Sequence, residues 1–91
     1  MSVKVSIPAG LRGIARGVSQ TEVEGQTVAQ VIENLEAKCP GLKEKICEAD
    51  GSVRTLVNIF VNTEDVRFTQ GPATPVADGD TISIILAMAG G

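Results

Sequence analysis

The sequence predicts one α+β domain, in which a mixed sheet of about five strands carries one main helix packed on one face. The chain has 91 residues, enough for a single domain and too few for two. Its apolar patterns indicate the order strand, strand, helix, strand, strand, strand. Because the helix follows an N-terminal hairpin and has one apolar stripe, this stripe must be buried on a face of the sheet.

The N-terminal segment predicts a hairpin. Residues 3–7 alternate between apolar and polar side chains, which is typical of a half-buried strand. Pro8 ends this strand, and three glycines loosen the loop that follows. A second short strand over 20–24 completes a hairpin with an unusually long turn.

The main helix has a clear start and a clear end. Thr27 can cap it through its hydroxyl, and Gln30 occupies the capping-box position three residues later. Pro40 and Gly41 mark its end, and 42–47 add a short helical turn. The apolar residues that share one helical face are Val28, Val31, Ile32 and Leu35.

The next segment predicts a second hairpin. Residues 56–61 form a strand that places Val57, Ile59 and Val61 on one face. Turn residues occupy 62–65, and 66–68 are predicted to form a short return strand.

The last predicted strand leads directly into the C-terminus. A loop over 69–75 is followed by a tight turn at Asp78-Gly79, where glycine is available for a positive backbone angle. The strand itself covers 81–86, and we expect it to lie beside the first strand in the middle of the sheet. The domain is therefore expected to span 1–86, with 87–91 as a flexible tail.

The composition argues against catalysis by this chain. The sequence contains no His, Tyr or Trp. Histidine is the commonest acid or base near neutral pH and the commonest metal ligand, so most hydrolytic and metal chemistry loses its main participant. We therefore assign no catalytic residue, no metal ligand and no bound cofactor, and expect a binding or carrier module.

The charge and hydropathy indicate a protein partner. Eight basic residues are scattered among eleven acidic ones, and only two aromatic rings are present. These features disfavour nucleic acid, which attracts clustered Lys and Arg and stacks on aromatic rings. An acidic surface suits docking on a basic patch of another protein. Since no signal peptide or membrane-spanning run is visible, we expect a soluble cytoplasmic protein with no membrane partner.

The two cysteines support no metal site. Cys39 and Cys47 are too few for a disulfide framework, and no neighbouring His or Cys completes a ligand set. The favoured interpretation is two reduced thiols that act as small apolar side chains. A bridge between them, or a thiol that receives sulfur, are the alternatives.

The C-terminal end is the clearest functional feature of the sequence. Gly90-Gly91 follow a strand that is expected to be rigid and central. Glycines lack Cβ, so such a tail can pass a narrow channel in another protein, and the five residues from Ala87 reach about 17 Å at most. An ATP-using partner could activate the Gly91 carboxylate as an acyl-adenylate, and a sulfur nucleophile could then displace AMP. The alternative is a floppy end without function.

The sequence also resembles a known family. The order of elements, the Asp78-Gly79-Asp80 turn and the ending Ala89-Gly90-Gly91 are similar to ubiquitin-like β-grasp sulfur carriers, such as the thiamine-pathway carrier and the small subunit of molybdopterin synthase. The resemblance is strongest to the carrier of a cysteine-biosynthesis route, and it spans nearly the whole chain. The Glu-Asp-Val-Arg-Phe stretch at 64–68 and the terminal residues are its most specific parts.

This resemblance implies a function for the tail. Gly91 would be adenylated by a ubiquitin-activating-type enzyme that uses ATP, and would then become a thiocarboxylate. The sulfur would pass to a cysteine synthase-like acceptor, with Ala87, Met88, Ala89 and Gly90 presenting the reactive group. The alternatives are a ubiquitin-like modifier that forms isopeptide bonds with lysines, and the small subunit of a molybdopterin-synthase-like complex.

Three apolar residues near the tail are predicted to dock on a partner. Phe60 and Ile85 lie on the strand faces opposite to the expected core, so both should face water on adjacent strands. Leu86, at the exit of the tail, is assigned to the same docking set. It is a departure from the cysteine-biosynthesis carrier, which has a proline at this position that would stiffen the exit. The alternative is that Phe60 and Ile85 are ordinary exposed apolar residues.

Overall fold

A computed structural model describes residues 2–86 of the chain. Met1 and residues 87–91 lie outside this range. The predicted tail, with Ala87, Met88, Ala89, Gly90 and Gly91, therefore lies outside the described residues, and its role stays a prediction.

The predicted mixed sheet is confirmed. Within residues 2–86 the sheet has five strands, in the spatial order β2-β1-β5-β3-β4: β1 (Ser2–Ser6), β2 (Gln20–Glu24), β3 (Val57–Val61), β4 (Glu64–Asp65) and β5 (Thr81–Leu86). β1 and β5 are parallel neighbours in the middle of the sheet, as expected, and the other pairs are antiparallel. The C-terminal strand thus has a hydrogen-bonded strand on each side.

The main helix, α1 (Val28–Lys38), begins as its sequence predicts. Thr27 Oγ1 accepts a hydrogen bond from the Gln30 backbone N–H at 3.2 Å. The Gln30 side chain reaches back to the Gln26 N–H at 2.9 Å, one residue before the position that a capping box uses. The four residues of the predicted apolar face are all buried: Val28, Val31, Ile32 and Leu35.

A carboxylate sets the start of the second helix, α2 (Leu42–Ile46). Glu36 accepts the backbone N–H groups of Gly41 at 3.0 Å and Lys43 at 2.8 Å. These two bonds stabilise the charged form and lower the pKa of Glu36. Gly41 adopts a φ of 96°, which glycine reaches without steric cost.

The prediction of a return strand over Val66–Phe68 is wrong. β4 is only the dipeptide Glu64–Asp65, and Val66–Phe68 forms a turn of 3-10 helix. Asp65 Oδ1 accepts the Arg67 N–H at 2.9 Å, which caps this turn and ends the ladder. Val66 is then buried in the core, and Phe68 points to solvent with 88% of its surface exposed.

The core lies between the helices and one face of the sheet. Apolar residues of α1 and α2 pack with the inner residues of the strands, and each fully buried side chain contributes about 1.5–3 kcal/mol. The most deeply buried strand residues are Val3, Val5, Val23, Ile59 and Ile82. Within residues 2–86, the helices are too short and too polar for any of them to cross a membrane.

Candidate functional site at the exit of the tail

The chain leaves the described domain at the end of β5, in the middle of the sheet. Leu86 pairs with Val57 at the start of β3, and on the other side Ser83 pairs with Ser6 at the end of β1. Because β1 and β5 are parallel, the loop that follows β1 lies at the same edge as the end of β5. The end of β5 therefore lies between the β1–β2 loop and the segment that leads into β3.

The β1–β2 loop forms one wall of this exit. A Cβ on Gly10 would lie 2.8 Å from Leu86 Cδ1, so the backbone of Gly10 closely approaches the Leu86 side chain. Leu11 and Ala15 are buried and anchor the loop, and the Ile7 N–H donates to the Ser19 carbonyl at 2.8 Å. The wall is thus held both by apolar burial and by backbone hydrogen bonds.

Arg67 holds the other side of the exit. Its guanidinium donates from Nη1 to Asn58 Oδ1 at 2.7 Å and from Nη2 to the Thr55 carbonyl at 2.8 Å. Further Nη2 contacts reach the carbonyls of Arg54 and Val57. One planar side chain therefore holds in place the backbone that leads into β3, next to Val57, which pairs with Leu86.

Reasoning from the sequence pattern misses this role of Arg67, because it places the residue in a strand. The spacing of Asp65 and Arg67 fits a capped turn and could have suggested the 3-10 helix. Leu56, which is 57% exposed, and Phe68 are also missed as exposed apolar residues near the site. Their exposure depends on how the turn and the loop are oriented.

The predicted docking residues divide between two faces of the sheet. Ile85 is 46% exposed and lies across from Asn58, and Phe60 is partly buried and lies across from Ser83. Phe60 and Ile85 are therefore diagonal neighbours on the outer face. Leu86 lies on the inner face instead, where it packs against the core. The structure therefore brings Phe60 and Ile85 together on the outer face and places Leu86 apart from them on the inner face.

Cys39 and Cys47 are free cysteines, and neither is bridged in a disulfide among residues 2–86. Cys47 is buried, and this burial raises the pKa of its thiol. A shallow groove of about 500 Å³ runs past it, on the helical side of the molecule, and is lined mainly by Glu33, Glu36, Lys43, Glu44, Cys47, Glu48 and Arg54. Its carboxylates would repel the phosphates of a nucleotide. Residues 2–86 contain no group of three or more His, Cys, Asp or Glu that could hold a metal ion.

The fold and the tail exit define a class of protein: a ubiquitin-like β-grasp domain whose central strand leads to the C-terminus. The chain matches the ThiS family over residues 5–91, and it belongs to this family.

Individual relatives are similar over most or all of the chain. The sulfur carrier protein CysO of Mycobacterium tuberculosis is 44% identical over 93 aligned positions, which cover 100% of both chains. A chain of the crystal structure of the Amycolatopsis orientalis BexX/CysO complex superposes with a TM-score of 0.93 at 39% identity, covering 98% of this chain and 99% of that one. Small archaeal modifier protein 3 of Haloferax volcanii is 40% identical over 65 residues, 71% of this chain and 70% of its own.

These relationships confirm the predicted family and fold. Sulfur carriers of this family are small protein co-substrates, so the prediction that the chain is not an enzyme is also confirmed.

Proposed function

We propose that this protein is a sulfur carrier whose Gly91 carboxylate is adenylated by a ubiquitin-activating-type enzyme and then converted to a thiocarboxylate. The observation that carries the proposal is the 44% identity to a sulfur carrier protein along the full length of both chains. The family match also extends through residue 91, so it includes the reactive terminus.

The chemistry requires the partner to supply the leaving group. The Gly91 carboxylate attacks the α-phosphorus of ATP, which forms an acyl-adenylate and releases pyrophosphate. A hydrosulfide then attacks the acyl carbon and expels AMP, leaving a thiocarboxylate whose sulfur is available for transfer. ATP is thus used by the partner, and this chain contributes the acyl group and its presentation.

The described geometry suits this presentation. β5 is held by a strand on each side, so the start of the tail has a defined position on the rigid body. From there, Ala87, Met88, Ala89 and Gly90 would carry Gly91 into the partner. We further propose that Phe60 and Ile85 contact the partner through the outer face. Leu86 would act at the exit itself, because its side chain packs inward.

The proposed acceptor of the sulfur is a cysteine synthase-like enzyme, by analogy with the cysteine-biosynthesis carrier. A related CysO in complex with BexX supports the expectation that the folded body docks on a partner enzyme. A cytoplasmic location, without nucleic-acid or membrane partners, stays a prediction.

A second function is favoured by one observation. The similarity to a small archaeal modifier protein supports a role as a protein modifier, in which the activated Gly91 forms an isopeptide bond with a lysine of a target. The adenylation step is common to both functions. They differ only in the nucleophile that displaces AMP.

The test compares three forms of the full protein with the adenylating enzyme from the same cells: wild type, a variant without Gly91, and wild type with a C-terminal carboxamide. We expect the variant without Gly91 to release pyrophosphate about 100-fold more slowly than wild type, since its carboxylate ends one residue short of the reaction centre. The carboxamide form should release none, because an amide is not a nucleophile toward the α-phosphorus of ATP. The carboxamide form keeps the length of the tail and loses only the reactive oxygen. It therefore distinguishes the loss of the nucleophile from the shortening of the tail.

Mass spectrometry of the protein from its native cells decides between carrier and modifier. A mass gain equal to the replacement of one oxygen by sulfur supports the carrier, and high-mass conjugates support the modifier. If the variant without Gly91 accepts and transfers sulfur as well as wild type, Gly91 is not the reactive residue and the proposal is overturned.

A further inference from the structure

The β1–β2 loop has a charge opposite to that of the protein. Between Ile7 and Gln20 the sequence contains two arginines, Arg12 and Arg16, and no Asp or Glu. This segment therefore carries +2, while the whole chain carries -3, so the remainder carries -3 - 2 = -5. A loop with this composition is a local positive region on an acidic molecule.

The positive region lies beside the exit of the tail. The loop contacts Leu86 through Gly10, and Arg12 is anchored by a hydrogen bond from its Nε to the Ile7 carbonyl at 3.2 Å. Arg67 flanks the exit on the opposite side, but its guanidinium is occupied by the carbonyls that lead into β3. Both Arg12 and Arg16 are exposed, and neither forms an ion pair with a carboxylate of residues 2–86.

The backbone at Arg16 gives independent support. Arg16 has a φ of 59°, in the left-handed region that non-glycine residues rarely adopt, and it is followed by Gly17 with a φ of 84°. The turn could be made at lower cost with glycine at both positions. The conformation of the turn therefore does not require arginine, and strained residues of this kind cluster at functional sites.

Negative charge is concentrated at the other end of the central strands. The residues near the start of β1 and β5 include four carboxylates, which are Glu24, Glu64, Asp78 and Asp80. An extended polyanion, such as nucleic acid or an anionic membrane, would meet this repulsion as well as the basic loop. A protein surface can instead place a few carboxylates opposite the loop alone.

We propose that Arg12 and Arg16 dock on a cluster of carboxylates around the opening through which the adenylating enzyme receives the tail. The proposal rests on the proposed function. It reverses the expectation from net charge, which favours a basic patch on the partner, because the surface next to the tail is positive. The pair would speed encounter and orient the tail toward the opening.

The test compares two double variants that lose the same charge. Arg12→Gln/Arg16→Gln removes the loop charges and one hydrogen bond from a side chain to a carbonyl. Lys4→Gln/Lys38→Gln is the matched control: it also removes two charges and one such bond, that of Lys38 to the Glu22 carbonyl, away from the exit. The measurement is steady-state pyrophosphate release by the adenylating enzyme at low and high salt.

We expect the arginine variant to raise KM about 10-fold at low salt with kcat unchanged, and this difference to shrink at high salt. The lysine variant should stay within about twofold of wild type. Arg16→Gly should raise KM while its thermal midpoint is no lower than that of wild type, which excludes misfolding as the cause.

Equal KM values for the two double variants, or an increase that does not depend on salt, would overturn the proposal while wild type is still adenylated. If wild type itself is not adenylated, the proposed function fails, and the docking role fails with it.

Discussion

The two ends of the parallel β1–β5 pair are built in different ways. At the amino end of the pair, polar side chains are used to join strands and turns: Asp78 Oδ1 accepts the Ser2 N–H at 3.0 Å, and the Asn62 amide donates to Asp80 and accepts the Thr81 N–H. At the carboxyl end, the loop packs against Leu86, and Arg67 organises only one side of the exit. Two exposed arginines are left without carboxylate partners among residues 2–86.

This difference indicates that the two ends of the β1–β5 pair have different roles, one in stability and the other in contact with a partner. Carboxylates at the amino end satisfy backbone N–H groups, so their charge contributes to holding the strands together. Guanidinium groups at the carboxyl end remain available for a partner, apart from Arg67. We therefore expect substitutions at the amino end to change stability alone, and substitutions at the exit to change transfer as well.

The largest expected effect is that of Arg67→Ala. It removes contacts to three carbonyls and to Asn58, and we expect the free energy of unfolding to fall by about 1–2 kcal/mol, a modest value because the residue is exposed. Arg67→Lys should recover only part of this loss, because an ammonium group cannot span the same acceptors. Urea unfolding of both variants measures the effect. Full recovery by lysine would show that charge alone matters at this position.

A smaller effect is expected at the opposite end for Asn62→Ala. Asn62 has a φ of 57° and makes two side-chain hydrogen bonds, so alanine should lower the free energy of unfolding by about 1 kcal/mol. Asn62→Gly is the control, since it keeps the backbone conformation and loses only the bonds. Adenylation kinetics should be unchanged in both. A raised KM in either variant would contradict the assignment of this end to stability.

The smallest expected effect is that of Gly10→Ala. The new methyl group would displace the flexible Leu86 side chain, so unfolding should change little and tail-dependent transfer should slow about threefold. Gly13→Ala in the same loop is the matched control, because a Cβ there has no neighbour within 4 Å. The double variant Gly10→Ala/Leu86→Val, in which the shorter side chain makes room, should restore the rate. If Gly13→Ala slows transfer equally, the Gly10–Leu86 contact does not explain the effect.

Local signals in the sequence were sufficient for most of the fold. The cap at Thr27, the apolar stripe of α1 and the bounds of β2 and β5 agree with the structure, because each depends on a pattern within a few neighbouring residues. The prediction of a strand over Val66–Phe68 is wrong because a side-chain cap competed with the ladder. The sequence signal for that competition lay in Asp65, one residue before the three on which the strand prediction rested.

Fewer features of the candidate site could be predicted from local sequence patterns. The alternation of β3 and β5 correctly places Phe60 and Ile85 on the outer face, and the same alternation puts Leu86 on the inner one. The exposure of Phe68, the contacts of Arg67 and the approach of Gly10 to Leu86 have no local signal. Each depends on segments that are distant in sequence.

By itself, the sequence determined the elements, their order, the apolar face of the helix and the resemblance to β-grasp sulfur carriers, since these follow from periodicity, capping residues and short motifs. Only the tertiary structure decided which charges surround the end of β5. That arrangement arises because the parallel pairing of β1 and β5 brings a loop near the N-terminus beside the last strand, a contact over some 75 residues that no local pattern encodes.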